Sequence, residues 1–254
     1  MTAGRRSDLA LGALGVVGLL LLWELAARSG LASAAVFPAP SEALRQAAAR
    51  LTGGEVIVHV LTSLGRILAG FALGAAAGVI IGVMAGWYRG FGAIVRPLIE
   101  FLRPIPPLAW IPMAIVWLGL GEASKVFVIF LGAFFPVLTN AYRGVTTIDP
   151  LLLRAAQTMD VGGVRLLVRV ILPAALPDIA TGLRVGWGLS FGVLVAAELI
   201  AAQVGMGFLI NNARQVGDVG IVIFGIALIG GTNLATDWLL DLGLKRLLGH
   251  RLEG

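Results

Sequence analysis

Few residues in this 254-residue chain can do covalent chemistry. It contains no cysteine, which excludes thiol nucleophiles, thiolate metal sites and disulfide frameworks. Its two histidines, His59 and His250, stand too far apart in sequence to suggest a metal site. A phosphate-cradling loop needs Gly, four residues, then Gly-Lys-Ser/Thr. The stretch from Gly119 to Lys125 has glycines and a lysine at the wrong spacing, and Val126 follows the lysine. This stretch is therefore not a phosphate-cradling loop. What remains is charge in apolar surroundings. Glu198 reads as mid-span in an apolar run, where a comparable charged residue costs about 2.5–3.5 kcal/mol to insert. It should face protein or water and have a partner, with Arg103 the candidate. Glu100 and Arg103 could instead pair with each other at helical spacing. Asp237 and Asp241 share a face near the end of the last apolar run, where interfacial solvation accounts for them.

Arg103 opens the most irregular stretch, Arg103-Pro104-Ile105-Pro106-Pro107-Leu108-Ala109-Trp110-Ile111-Pro112. Proline removes an amide donor and clashes with the preceding turn, so no regular helix crosses it. Broken backbone at membrane depth is tolerated where protein buries it or where it lines a watery cavity. Arg103, Pro106, Pro107, Trp110 and Glu198 are accordingly candidate pathway residues, set against a packed kink and, for Trp110, an interfacial anchor.

The elements that must position these residues are membrane helices. The chain is 58% hydrophobic and 13% charged, with a mean hydropathy of +0.95, whereas soluble proteins carry roughly 25% charged residues. Six apolar spans are expected, over 9–27, 64–87, 97–118, 126–141, 176–202 and 219–240. They are too long for strands, so the fold class is an all-α membrane protein. Of the 19 lysines and arginines, 13 fall in segments on the side of the N-terminus and six on the other, Arg66 and Lys125 among those six. This places both termini in the cytoplasm. The net charge of +5 thus sets orientation and requires no nucleic-acid partner. A rival reading makes the first span a signal peptide, with Ala32-Ser33-Ala34 as a cleavage site. Gly70, Gly74, Gly78, Gly82 and Gly86 recur every fourth residue, a smooth ribbon where another backbone can approach closely, within the subunit or across to a second one. Residues 41–50 read as a short external helix with Ser41 as its N-cap, lying on the membrane or against a partner.

Between the fourth and fifth spans, residues 143–175 form a polar cytoplasmic segment. Two short helical stretches flank a turn containing Gly162 and Gly163, with Pro173 and Pro177 marking the return to the membrane. Leu152, Ala155, Ala156 and Met159 fall on one helical face, an apolar surface that a soluble partner or the bilayer must cover.

This spacing resembles the signature loop of ABC import permeases: Glu-Ala-Ala, three residues, Gly, nine residues, Ile, one residue, Leu-Pro. Ala155, Ala156, Leu172 and Pro173 match and Val170 replaces Ile, while Arg154 stands where Glu is usual and Asp160 where Gly is usual. Aspartate can still take the left-handed turn conformation. The segments Phe37-Pro38-Ala39-Pro40-Ser41, the proline-rich run from Arg103, Gly119-Leu120-Gly121-Glu122-Ala123-Ser124-Lys125 and Val195-Ala196-Ala197-Glu198-Leu199-Ile200 are similar to the nitrate/sulfonate/taurine/bicarbonate branch, and Arg154-Ala155-Ala156-Gln157 with the run from Pro106 to Trp110 is most similar to taurine and aliphatic-sulfonate permeases.

The resemblance implies a type I importer fold: an N-terminal helix and external segment over 1–62, a permease core over 63–245 and a cytoplasmic tail over 246–254. It implies a homodimer enclosing the pathway, two ATPase subunits that bind ATP and Mg, and an extracytoplasmic solute-binding protein delivering a small anion. Arg154, Ala155, Ala156, Met159, Asp160, Gly162, Gly163, Leu172 and Pro173 would form the ATPase-coupling loop. An ion-driven secondary transporter and a non-transporting membrane scaffold are the competing classes.

Overall fold

The computed structural model describes residues 2–30, 33 and 35–249, and has no strand among them. In chain order the helices are α1 (Thr2–Arg28), α2 (Pro40–Arg50), α3 (Gly53–Trp87), α4 (Arg89–Leu102), a 3-10 turn (Pro107–Trp110), α5 (Ile111–Leu118), α6 (Glu122–Thr146), α7 (Pro150–Thr158), α8 (Gly163–Leu166), a π turn (Leu167–Ile171), α9 (Leu172–Ala201), α10 (Met206–Gln215) and α11 (Val219–Leu248).

Four helical segments among the described residues are long and apolar enough to cross a membrane, and five if the bent pair 89–118 counts as one span. The difference from the six expected spans is α1. This 27-residue helix packs only lightly, on α2, and leaves Leu11, Leu14, Leu19, Leu22 and Leu25 exposed. Ala32 and Ala34 of the proposed cleavage site lie outside the described residues, as does His250.

Several boundaries differ from the apolar pattern because caps, not hydropathy, start helices. α3 begins eleven residues before position 64. The Thr52 hydroxyl accepts from the Glu55 amide and the Glu55 carboxylate accepts from the Thr52 amide, a reciprocal cap that satisfies two orphan donors. Arg66 and Lys125, expected in external segments, therefore sit inside α3 and α6 and are buried. Ser41 is not the cap of α2. Ala39 holds that position with Pro40 in the first turn, and the Ser41 hydroxyl lies 2.6 Å from the Glu24 carboxylate of α1.

The core is the trio α3, α6 and α9, in which α3 and α6 run parallel and α9 antiparallel to both. Ile67, Phe71 and Ala75 of α3 meet Ile129, Ala133 and Val137 of α6 and Trp187, Phe191 and Leu194 of α9. The Phe71 and Trp187 rings stand edge to face, 4.9 Å between centroids, the orientation that the ring quadrupoles favour. The glycines of α3 lie against α6. A Cβ at Gly74 would fall 2.5 Å from the Phe130 carbonyl oxygen and 2.9 Å from the Ala133 Cβ, and one at Gly78 would fall 2.9 Å from the Phe134 carbonyl. Gly70, Gly82 and Gly86 meet Ile129, Ala141 and Val145 in the same way. Gly182 and Gly186 let α9 approach the other side of α6. Small residues replace the hydrophobic effect as the means of close association where lipid is the solvent.

Candidate functional site

Three features carry the polar chemistry of this bundle: a helical hairpin at one end, an ionic cluster at the other, and the broken span between them.

The hairpin begins at Asp149, whose carboxylate accepts from the Leu151 amide at 2.8 Å, capping α7 behind Pro150. Asp160 ends it with φ +54°, the only non-glycine in the left-handed region among the described residues, and Gly163 follows at φ +56°. The position where a signature glycine is usual thus adopts the conformation that glycine supplies. From Gly163 the chain runs without interruption through α8, the π turn and α9 to Ala201. Pro173 lies inside this rod, just past the π turn at Leu167–Ile171, where the Leu172 amide donates to the Leu167 carbonyl. Pro173 and Pro177 therefore mark no break; the hairpin's second arm and the membrane helix form one rod.

The apolar face expected from Leu152, Ala155, Ala156 and Met159 is divided. Ala156 turns inward and is 7% exposed, whereas Met159 is 76% exposed. Arg154 and Ala155 are exposed, and Leu172 and Pro173 partly buried. The outward surface comprises Leu151, Leu152, Met159, Val164 and Val168, bounded by the exposed Arg154, Arg165 and Arg169. Val164 and Val168 come from the second arm, so the surface spans both arms of the hairpin.

At the opposite end, Glu198 pairs with Arg66, not Arg103. Arg66 Nη1 donates to Glu198 Oε1 at 2.7 Å and to the Val204 carbonyl at 2.5 Å, while its Nε and Nη2 grip Glu122 at 2.6 and 2.8 Å. The Ser63 hydroxyl lies 2.7 and 2.9 Å from the two Glu198 oxygens, and the Gly207 amide donates to Oε2 at 2.8 Å. Lys125 completes the cluster, 3.0 Å from Glu122. His59 Nδ1 accepts from the Gly205 amide at 3.0 Å. Glu198 lies three residues from the end of α9 rather than mid-span, and is 1% exposed. Its oxygens are occupied by donors from α3 and from the first turn of α10, which ties these elements together. Gly205, at φ +139°, and Gly207 leave room for it; a Cβ on Gly207 would meet the Glu198 Cβ at 2.7 Å. The sequence signal was Arg66, a basic residue inside α3 opposite a carboxylate inside α9. The late start assigned to the second span hid it.

On the same side of the bundle, outside the spans, Arg45 and Gln46 hydrogen-bond the Glu42 carboxylate and hold its pKa down at about 2. Arg50 of α2 pairs with Asp218, the N-cap of α11.

The broken span is α4 and the segment 107–118, which meet at 86°. Residues 103–106 form the corner, where Pro104, Pro106 and Pro107 provide no amide donors. Arg103 is exposed there. Glu100, its other suggested partner, pairs with Arg96 at 2.8 Å, because the i,i+4 spacing on the regular part of α4 brings these two together. Trp110 is partly buried, 6.2 Å from the Trp117 ring, and packs on the cluster of Ile111, Val128 and Ala197. Arg103 and Pro107 border one cavity of about 260 Å³ with Asn140, Val185 and Leu189. Glu198 does not line it. Near the hairpin end Asp241 is bridged by Arg184 and Lys245, so it is paired rather than only solvated. No group of His, Asp or Glu among the described residues could hold a metal ion.

Residues 78–248, which include the hairpin, the broken span and the ionic cluster's Glu122 and Glu198, match the family described as binding-protein-dependent transport system inner membrane component. The taurine transport system permease of Escherichia coli is 36% identical over 249 residues, covering 96% of this chain and 88% of the relative. A bicarbonate transport system permease of Synechococcus elongatus is 34% identical, covering 88% and 84%. A protein of Brucella melitensis named a probable ABC transporter permease is 39% identical, covering 89% and 90%. With a polytopic helical core, an exposed apolar hairpin fused to a membrane helix and a span broken by prolines, the chain belongs to the inner-membrane permease subunits of binding-protein-dependent ABC transporters.

Proposed function

We propose that this permease imports a small anion, with taurine or an alkanesulfonate favoured and nitrate or bicarbonate the alternatives, and that it works as a homodimer driven by two separate ATPase subunits. The observation that carries this reading is the hairpin. It presents Leu151, Leu152, Met159, Val164 and Val168 outward in an otherwise polar segment, and its second arm is the start of α9.

In this reading the hairpin faces the cytoplasm and sits in a groove on the ATPase, with Met159 and Val164 on either side of the Asp160 turn as the apolar contacts. Closure of the ATPase dimer moves the hairpin. The movement reaches the membrane directly, because no flexible joint separates Gly163 from the α9 residues Val185 and Leu189, which border the cavity at the broken span. The π turn at Leu167–Ile171 is the one local irregularity in that rod, and such turns mark functional sites in other helices. The far end of α9 is anchored by Glu198 to Arg66. Force applied at one end against an anchor at the other tilts the helix and opens or closes the cleft beside it. A solute-binding protein delivers the anion at the Arg66 end. ATP binding changes the permease only as far as the ATPase holds the two hairpin positions with different affinity.

The test is reconstitution of the chain in proteoliposomes with the ATPase and binding protein encoded beside it, using taurine, ethanesulfonate, nitrate and bicarbonate as probes. Uptake of one probe that requires ATP, the ATPase and the binding protein together is the expected result. Uptake by this chain alone on an ion gradient would overturn the reading in favour of a secondary transporter.

A further inference from the structure

The broken span carries a cation that pairs with no carboxylate among the described residues. Arg103 caps α4 at the corner of the 86° bend. The two carboxylates that the sequence suggested as its partners are both engaged elsewhere, Glu100 by Arg96 and Glu198 by Arg66. Among the described residues no carboxylate lies in salt-bridge reach of Arg103.

Arg103 also occupies a singular place. It borders two cavities, one of about 480 Å³ shared with Arg96, Glu100 and Tyr142, and one of about 260 Å³ shared with Asn140, Val185 and Leu189. Thr139 of α6 borders both as well. Apart from Arg103, Thr139 and Asn140 the smaller cavity is apolar, and its other side-chain donors are partly spent. The Thr139 hydroxyl donates to the Phe135 carbonyl at 2.8 Å and the Asn140 amide to the Pro136 carbonyl at 2.8 Å. Its volume equals that of about nine waters, at roughly 30 Å³ each, enough for a small oxyanion with part of its hydration shell. A guanidinium offers a planar fork of donors that matches the paired oxygens of a sulfonate, nitrate or bicarbonate, which a lysine ammonium does not.

We propose that Arg103 is the specificity-determining cation of the translocation cleft: its guanidinium binds the passing oxyanion between these two cavities and excludes cations from them. The inference rests on the importer reading for its ligand, but the positive potential it assigns to the cleft can be measured without transport. The chain has no native cysteine, so a single one reports alone. Leu189→Cys is placed on an exposed position of the smaller cavity, with Val185→Cys as a second site.

In the full-length chain in lipid nanodiscs, the rate of modification by an anionic methanethiosulfonate is compared with that by a cationic one of similar size. Arg103→Gln is expected to lower the anionic-to-cationic rate ratio about tenfold, the scale on which a charged cleft steers small ions. Arg103→Lys is expected to retain most of the ratio. A helix-packing role for Arg103 would leave the ratio unmoved. An unchanged ratio in Arg103→Gln overturns the proposal, as does failure of both cysteines to react with either reagent, which would mean the cleft admits no ions. In the reconstituted transporter Arg103→Gln should cut uptake of the transported probe at least tenfold, and Arg103→Lys should restore part of it. If the thiol ratio falls as expected while none of the four probes is taken up by the native complex, the importer reading fails and the charged cleft stands.

Discussion

The two ends of α9 are built on opposite principles. At the Glu198 end, a charged side chain is sealed from solvent and held by donors from α3 and the first turn of α10, with Gly205 and Gly207 leaving room for it. At the Gly163 end, apolar side chains project outward without cover, on a hairpin joined to the bundle by few contacts. A buried charge needs fixed partners, because losing one strands the other in low dielectric. An exposed apolar surface needs a partner that can be gained. The same helix is therefore a fixed point at one end and a handle at the other. The broken span, with its Arg103, lies beside the stretch between them.

The fixed end can be broken most severely by removing Arg66. Arg66→Ala leaves Glu198 buried with its ionic partner gone, at a cost of about 3–5 kcal/mol, and also releases Glu122. Thermal unfolding of the detergent-solubilised chain should show a large drop in Tm or no folded protein. Adding Glu198→Gln, which removes the stranded charge while keeping a group for the Ser63 and Gly207 contacts, should recover a substantial part of the loss. If Arg66→Ala unfolds at the native temperature, the Arg66–Glu198 pair is not an anchor and the contrast between the two ends collapses.

A smaller effect is expected midway along the clamp. Gly74→Leu forces a side chain against the Phe130 carbonyl, and over-packing of this kind costs about 1–3 kcal/mol. Gly65 lies on the same helix with nothing within 4 Å of its Cβ position, so Gly65→Leu should leave Tm unchanged. Equal Tm values for these two variants would show that the glycine ribbon does not decide how α3 and α6 pack.

The sequence makes some of this plain and hides the rest for identifiable reasons. Helices declare themselves through long apolar runs, and the break at Arg103 through prolines, because both depend on local chemistry. The left-handed turn at Asp160 was also accessible, since aspartate tolerates that conformation and the signature spacing points to it. Ion-pair partners were not. Glu198 and Arg66 are 132 positions apart, and which arginine meets which carboxylate depends on how the helices align, information that no single segment contains. Arg103 was the nearer guess because its surroundings looked irregular, but irregular backbone and buried charge turned out to lie in different places. The capping box at Thr52 and Glu55 was legible by its spacing, yet apolar runs alone placed the start of α3 at 64, leaving Arg66 close to a loop. The inward turn of Ala156 escaped for a third reason. Periodicity gives the face shared by Leu152, Ala155, Ala156 and Met159 to within one residue width, and the packing of α7 over the π turn decides which edge of that face is covered.

That last correction sets the mildest test of the handle. Ala156→Trp is unsuited to it, because a large ring at a buried site would distort the hairpin whatever its role. Met159→Asp alters an exposed side chain at the tip, so the fold should be untouched: an unchanged Tm, matching the roughly ±0.5 kcal/mol stability change expected of surface substitutions. Its effect should appear only when the ATPase is present. A carboxylate facing an apolar groove must be desolvated without a partner, so recovery of the ATPase with the affinity-tagged permease should fall about tenfold or more, a difference of at least 1.4 kcal/mol. The pairing of an unchanged Tm with lost co-purification distinguishes a handle from a structural turn. Undiminished co-purification of Met159→Asp, and of Val164→Asp on the other arm, would place the motor's contact elsewhere and leave the outward leucines and valines to the lipid surface.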